Sequence, residues 1–383
     1  MADIFEYLEW RADVPLSVAP FNDVDNLVLS ELAYTDFTGI VSRDPVPLPT
    51  VCERFFASHS REELAASTSF TAKAPLLMDP MVAGCRFGTM RVCHYVSELD
   101  AEKTAQMSAT TFLLDDGTAY VAFRGTDSTL IGWREDFDID CLTETSGQQN
   151  AVAYLEKVAA DLDVPLRVGG HSKGGNFAEY AASFCSAETQ ARINAVYSND
   201  APGFRNELLE LPGFLRILPK IVRIVPDTSI IGMLLSHKSR FKVIKSTAFG
   251  ILQHDGFSWN VKRDGFVEAE LSNTGKFFDQ ILDSWIDGMD DQTRTSVTDT
   301  IFSIFESTGA DTFHEMSQQK WKSAEAMFSS LFKMPSDKQA ELIKLTGNLL
   351  KKGGQAILDQ LPDRLLSWKN HEQDPSPAAE RDD

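Results

Sequence analysis

Apolar and polar positions alternate in two different rhythms through the middle of the chain, and the rhythms take turns. Arg91–Ser97 and Thr110–Leu114 carry strand signals, and Thr118–Phe123 returns after Asp115-Asp116-Gly117, a tight turn, so the last two read as a hairpin. Asn150–Leu162 has the spacing of an amphipathic helix. The short apolar run Val164–Gly169 then gives way to a helical pattern over Gly175–Phe184. Ile193–Ser198 reads as a buried strand, Phe204–Leu211 as a helix, and Ile221–Val225 and Phe241–Ile244 as further strands. Strands alternating with helices predict an α/β fold with a mostly parallel central sheet, whose ligand crevice lies at the carboxyl ends of the strands.

The flanks read differently. The first ninety residues mix helices with turns: Asp23–Leu32 is a helix with Asp23 a candidate cap, and Ser60-Arg61-Glu62-Glu63 is a capping box opening another. After about residue 272 the pattern becomes helical, over Lys276–Met289 and Asp337–Leu361. The predicted organisation is an α/β domain over 1–272, with a helical N-terminal part (1–90) and a cap-like insertion at about 204–240. A helical C-terminal extension (273–370) and a Pro- and charge-rich, disordered tail (371–383) follow.

Composition narrows the classes. A chain of 383 residues with 43% apolar and 10% aromatic residues is globular and can bury a large core. It has no run of about eighteen uncharged apolar residues, so no spanning helix is expected. Met1-Ala2-Asp3-Ile4 lacks the basic start and apolar core of a signal peptide. The five cysteines (Cys52, Cys85, Cys93, Cys141, Cys185) are scattered, with no C-x-x-C, which fits free thiols in the cytoplasm and neither disulfides nor a zinc site. No cofactor or metal is expected. A net charge of −20 argues against nucleic acid as partner and against docking on an anionic membrane. One stretch reverses that sign. Leu211–Gly250 holds seven basic residues (Arg216, Lys220, Arg223, Lys238, Arg240, Lys242, Lys245) against Asp227 alone. It reads either as a solvated face or as a cap whose field draws an anionic substrate.

The candidate chemistry lies at the strand-to-helix corner Gly170-His171-Ser172-Lys173-Gly174. A turn this tight needs flanking residues without bulk, and it lifts the serine hydroxyl above the sheet end. The following helix aims its N–H groups and positive end at the place where an oxyanion would form. The plainer alternative is a glycine-rich connection with a capping serine. A serine nucleophile needs a base, and the base needs an orienting acid. Of the histidines beyond Ser172, His314 and His371 fall in the extension and tail, and His237 stands among basic residues. His254, in the turn-rich Gln253-His254-Asp255-Gly256-Phe257-Ser258-Trp259 just after the last strand pattern, is the candidate base. Asp200, at the end of one strand, is preferred as the acid over Asp227 at the end of the next; Asp255 reads as a turn cap. Backbone N–H groups at Thr126, in Phe123-Arg124-Gly125-Thr126, and at Lys173 are the candidate oxyanion donors. His171 reads as a packing residue beside the nucleophile.

Together these segments resemble the α/β-hydrolases, and within them the class-three (fungal-type) lipases, through Phe123–Thr126 with Trp133 and Asp136 downstream, and Gly170–Gly175. The likeness is closer to a bacterial branch known mainly as a domain of unknown function. That branch is similar in Tyr7–Trp10, Phe21–Asn26, His171–Asn176, Ser198–Phe204, Pro226 with Ser229–Leu235, and Gln253–Trp259. The resemblance covers roughly residues 1–270. It implies Ser172 as nucleophile, His254 as base, and Thr126 with the Lys173 amide as oxyanion hole. The chain departs from the lipases in having Lys173 where they carry Leu. Their acid follows the later strand, where the spacing puts Ser229, whereas the Asn199-Asp200 corner is similar to lipases whose acid ends the earlier strand. The function implied is hydrolysis of a carboxylic ester, small or lipid-like. An acyltransferase or thioesterase on the same site, and a non-catalytic interaction module, are the alternatives.

Overall fold

Strand-forming residues in the middle of the chain assemble one eight-stranded sheet, seen in a computed structural model that describes residues 2–67, 69–100, 105–126, 144–248 and 250–272. The extension 273–370, the tail 371–383, and Asp127, Trp133, Asp136, Cys141, His314 and His371 lie outside the described residues. The strands are β1 (Val46–Pro47), β2 (Arg91–Asp100), β3 (Ala105–Leu113), β4 (Ala119–Phe123), β5 (Leu166–His171), β6 (Ile193–Asn199), β7 (Ile221–Pro226) and β8 (Phe241–Ile244). They lie side by side in chain order. The pairs from β1 to β4 are antiparallel, and β3 meets β4 through the turn at Gly117, whose φ of 76° suits glycine. From β4 to β8 every pair is parallel, so the carboxyl ends of β4–β8 share one edge.

Period-two alternation decides which residues face which layer. Ala119, Val121 and Phe123 of β4 join Val168 and Val196 in a core shared with helix residues Leu155, Phe177 and Ala181. Tyr120 and Ala122 point the other way, into a core with Leu27, Val28 and Leu32. The N-terminal helices α1 (Ile4–Arg11), α2 (Asp23–Leu32), α3 (Leu48–Phe56), α4 (Arg61–Ala66) and α5 (Met78–Ala83) pack into this core, through Ile4, Leu27, Val51, Leu64 and Met78 among others. On the opposite face lie α6 (Ser146–Asp161), between β4 and β5, and α7 (Lys173–Phe184), between β5 and β6. Helices on both faces of a sheet whose β4–β8 half is parallel, with a serine at the β5–α7 corner, form an α/β-hydrolase architecture. Among the described residues no helix is long and apolar enough to cross a membrane.

Helix α2 is buried from Val24 to Leu32, yet it carries Asp25, Asn26, Ser30 and Glu31. Such an element is stable only if its polar groups are paired. Asp25 forms a buried ion pair with Arg86, whose Nε donates at 2.7 Å, and the hydroxyl of Tyr7 donates to it at 2.8 Å. Arg86 Nη1 also donates to the carbonyls of Val14 and Ala19 at 3.0 Å each. Asn26 Nδ2 donates to Asn199 Oδ1 at 2.8 Å, and Asn199 Nδ2 donates to Ser30 Oγ at 3.1 Å and the Gly170 carbonyl at 3.0 Å. The helix is thereby tied to the carboxyl ends of β5 and β6.

Several elements differ from the sequence reading. Asn22, not Asp23, caps α2: its side chain accepts the N–H groups of Val24 and Asp25, and Asp25 accepts that of Asn22, because residue 22 holds the extended backbone a cap requires. Ser60 caps α4 by accepting the Glu63 N–H, and its hydroxyl donates to Glu62, but among the described residues no bond from the Ser60 N–H to the Glu63 side chain completes the box. The helix expected over 204–211 is shortened to α8 (Asn206–Leu209), and α9 (Pro212–Ile217) restarts at a proline suited to a first turn. Within the stretch 204–240, Ile221–Pro226 is a strand of the sheet, while Phe204, Leu209 and Phe214 pack in a small cluster with Tyr180 of α7.

The buried Asp25–Arg86 pair gives a direct stability test. Arg86→Ala leaves a carboxylate without its partner in the core and should lower the unfolding free energy by about 3–5 kcal/mol, read from urea denaturation.

Candidate active site

The corner after β5 is as tight as its glycines suggest. A Cβ on Gly174 would come within 2.1 Å of the Phe123 carbonyl oxygen, and one on Gly170 within 2.3 Å of the Gly174 carbonyl carbon. No larger residue fits at either place. Ser172 sits between them at φ 57° and ψ −135°, a strained backbone that begins α7. Its N–H donates to the Asn199 carbonyl at 2.9 Å, which locks the corner to the end of β6.

That end of β6 is strained as well: Asp200 has a φ of 45°. Its N–H donates to the Ile224 carbonyl of β7 at 2.8 Å, and the carboxyl is buried. Oδ2 accepts from His254 Nδ1 at 2.7 Å. Oδ1 accepts from the hydroxyl of Ser229, whose oxygen in turn accepts the Gly232 N–H at 3.0 Å. Each carboxyl oxygen therefore has a donor, as a buried acid requires.

His254 ends a short helical turn, Gly250–His254, after β8. The loop is pinned by Trp259 Nε1, which donates to the Gln253 carbonyl at 2.8 Å. Gln253 Nε2 donates to Asp227 Oδ1 at 2.9 Å, and Gln253 Oε1 accepts the Thr228 N–H at 2.8 Å. Asp227 also pairs with Lys245 at 3.0 Å. The two aspartates thus divide the work: Asp200 meets the imidazole, and Asp227 anchors the residue before it. Asp255 caps the next turn by accepting the Phe257 N–H at 3.0 Å. His237 lies with its ring edge-on to Phe241, at 5.2 Å, and among the described residues no carboxylate forms an ion pair with it.

The segments carrying Ser172 and His254 are in contact. His171, the residue before Ser172, has its ring 4.5 Å from that of His254, and its Nε2 donates to the His254 carbonyl at 2.7 Å. Because a carbonyl only accepts, Nε2 carries the proton. Nδ1 then accepts from the hydroxyl of Tyr34 at 3.0 Å. The ring is buried, and that burial, followed by the neighbouring His254, holds His171 well below the ordinary histidine value of 6.5. Glu31 Oε1 lies 3.7 Å from the same Nδ1, and among the described residues neither oxygen of Glu31 has a hydrogen-bond partner. Burial, helped by Asp255, raises this carboxyl well above 4.5. Desolvation outweighs attraction here and disfavours the charged form of both groups.

Thr126 and Lys173 are both buried at the same edge. Thr126 follows Gly125, where an added Cβ would stand 3.1 Å from Ser172 Cβ, so this loop lies against the serine. Lys173 opens α7. The groups that sequence reasoning did not find are Tyr34, Glu31 and Ser229 as a donor to Asp200; their types are common, and only proximity marks them. The basic stretch is largely neutralised in place. Lys238 pairs with Glu210 at 2.6 Å, Lys242 with Asp23 at 2.6 Å, and Arg223 with Glu179 at 2.5 Å, while Lys220 binds the carbonyls of Gln190 and Ile193. Among the described residues no group of three His, Cys, Asp or Glu is arranged to hold a metal ion.

Comparison with known proteins adds a family. The family described as Mbeg1-like matches residues 81–303. No curated protein matches the chain in sequence. Among solved structures, the chain is similar to a Rhizomucor miehei lipase propeptide complex, at 16% identity and a TM-score of 0.37, over 61% of this chain and 79% of that one. It is also similar to lipase II of Rhizopus niveus, at 15% identity and a TM-score of 0.35, over 54% and 93% of the two chains. A lipase from Rhizopus microsporus var. chinensis matches at 14% identity and a TM-score of 0.34, over 61% and 99%.

The two buried groups have opposite linkage signs. His171, depressed in the folded state, contributes stability above pH 6.5 that is lost as the pH falls. Glu31, raised, contributes stability below pH 4.5 that is lost as the pH rises. From about pH 7.5 to 5.5, urea midpoints of the wild type should therefore fall relative to His171→Gln and rise relative to Glu31→Gln.

Proposed function

This chain belongs to the Mbeg1-like family, and from its site we propose that it is a serine hydrolase acting on carboxylic esters. The observation that carries this reading is the 2.7 Å bond between Asp200 and His254, on a loop that touches the residue preceding a strained strand-to-helix serine. A hydroxyl alone is too weak an acid to attack an ester. In the proposed reaction His254 Nε2 takes the proton from Ser172 as its oxygen attacks the carbonyl carbon. Asp200 holds Nδ1–H, keeps the tautomer that leaves Nε2 to act, and stabilises the imidazolium that forms. The tetrahedral oxyanion is received by backbone N–H groups at Thr126 and Lys173, with the N-terminal end of α7 adding its positive dipole. His254 returns the proton to the departing alkoxide, leaving an acyl group on Ser172. Water then repeats the sequence and releases the carboxylic acid.

The support is of three kinds: the α/β-hydrolase architecture, the buried acid–imidazole pair, and the glycine-framed corner that only small residues can form. The local pairing of Lys238, Lys242 and Arg223 favours neutral esters over anionic ones as substrates. A short-chain ester and a fatty-acyl ester both satisfy this chemistry.

A fluorophosphonate probe should label the wild type, and Ser172→Ala should abolish that labelling. Labelling that persists unchanged in the alanine variant would exclude the reading. With a p-nitrophenyl ester, Asp200→Asn should lower kcat by about 10⁴-fold, since the imidazole loses its orienting carboxylate. Asp227→Asn should cost only about tenfold or less, acting through the loop rather than the proton. Equal losses in the two variants would reverse the assignment of the acid. Product analysis with an added alcohol separates hydrolysis from acyl transfer.

A further inference from the structure

The direction of the His254 ring is set by Asp200, but its place over the sheet edge depends on the backbone of a loop. His171 is the last residue of β5, and its Nε2–H grips the carbonyl of residue 254 at 2.7 Å. One side chain thus joins the strand that delivers Ser172 to the loop that delivers the imidazole. Tyr34, just beyond α2, donates to Nδ1 at 3.0 Å and so selects the tautomer with its proton on Nε2. The two rings face one another at 4.5 Å with a tilt of 37°. A positive charge on His171 at that distance would oppose the imidazolium that the proposed reaction forms on His254.

We propose that His171 is a positioning residue: through its bond to the His254 carbonyl it sets the base over Ser172, and Tyr34 fixes the tautomer that makes this bond. The inference rests on the serine-hydrolase reading above. A displacement of about 1 Å in a catalytic group costs on the order of 10²-fold in rate, so one such bond can govern turnover without touching substrate.

Side chains of known reach separate this role from simple filling of space. The amide nitrogen of glutamine reaches the place of Nε2, whereas that of asparagine reaches only the place of Nδ1. In His171→Gln, kcat on a p-nitrophenyl ester should stay within about fivefold of wild type; in His171→Asn and His171→Phe it should fall about 30–100-fold. KM should change less than about threefold in all of them, because no substrate contact is altered. Tyr34→Phe should lower kcat about 3–10-fold, since one of the two bonds that select the tautomer is lost and only that to the His254 carbonyl remains. The rate of fluorophosphonate labelling at Ser172 should follow the same order. Equal kcat in the Gln and Asn variants, or losses appearing in KM, would overturn the proposal even if the Phe variant fails to fold. Absence of labelling in the wild type would instead remove the hydrolase reading, and this inference with it.

Discussion

A single buried hydrogen bond, from His254 Nδ1 to Asp200 Oδ2, joins two segments 54 residues apart and holds the loop of His254 to the end of β6. An acid placed inside a protein is stable only when its oxygens are supplied with donors. Asp200 meets that condition in both directions, through His254 on one oxygen and Ser229 on the other. Ser229 is itself oriented by the Gly232 N–H. Each group in this series fixes the next, so the imidazole inherits its direction from the backbone after β7.

The same edge holds strain that isolated segments would relax. Ser172 and Asp200 both lie at positive φ, each at a cost of about 1–3 kcal/mol, and persist because neighbouring strands over-determine them. The Ser172 N–H is taken by Asn199, and the Asp200 N–H by Ile224. Behind them α2 presses a polar face on the strand ends, with Asn26 and Ser30 on Asn199, and Tyr34 beyond its end on His171. The N-terminal ninety residues are therefore part of the site's framework, not a separate module beside it.

Charge is organised locally rather than as one field. The chain carries −20 overall, and the basic stretch after Leu211 looks like its counterweight. In the fold, Lys242 reaches back to Asp23 of α2, and Lys245 holds Asp227, which anchors Gln253 in the loop of His254. These residues brace the framework. A charge run read along the chain gives no hint of this, because the partners come from distant positions.

Periodicity alone reveals the strands from β2 to β8 and the helices α6 and α7, since alternation and helical spacing record which side of each element is buried. The glycines around Ser172 were legible for the same reason: a corner that tight excludes side chains whatever surrounds it. The order serine, then aspartate, then histidine could be read too, with Asp200 preferred over Asp227 at the end of the next strand. Tertiary structure separates their contacts, because register and loop path bring Asp200 to Nδ1 of His254 and leave Asp227 bonded to Gln253 and Lys245. It alone made a partner of Ser229 and joined His171 to the His254 carbonyl. Contacts of that kind depend on distances across the sheet edge, and a linear pattern contains no such distances.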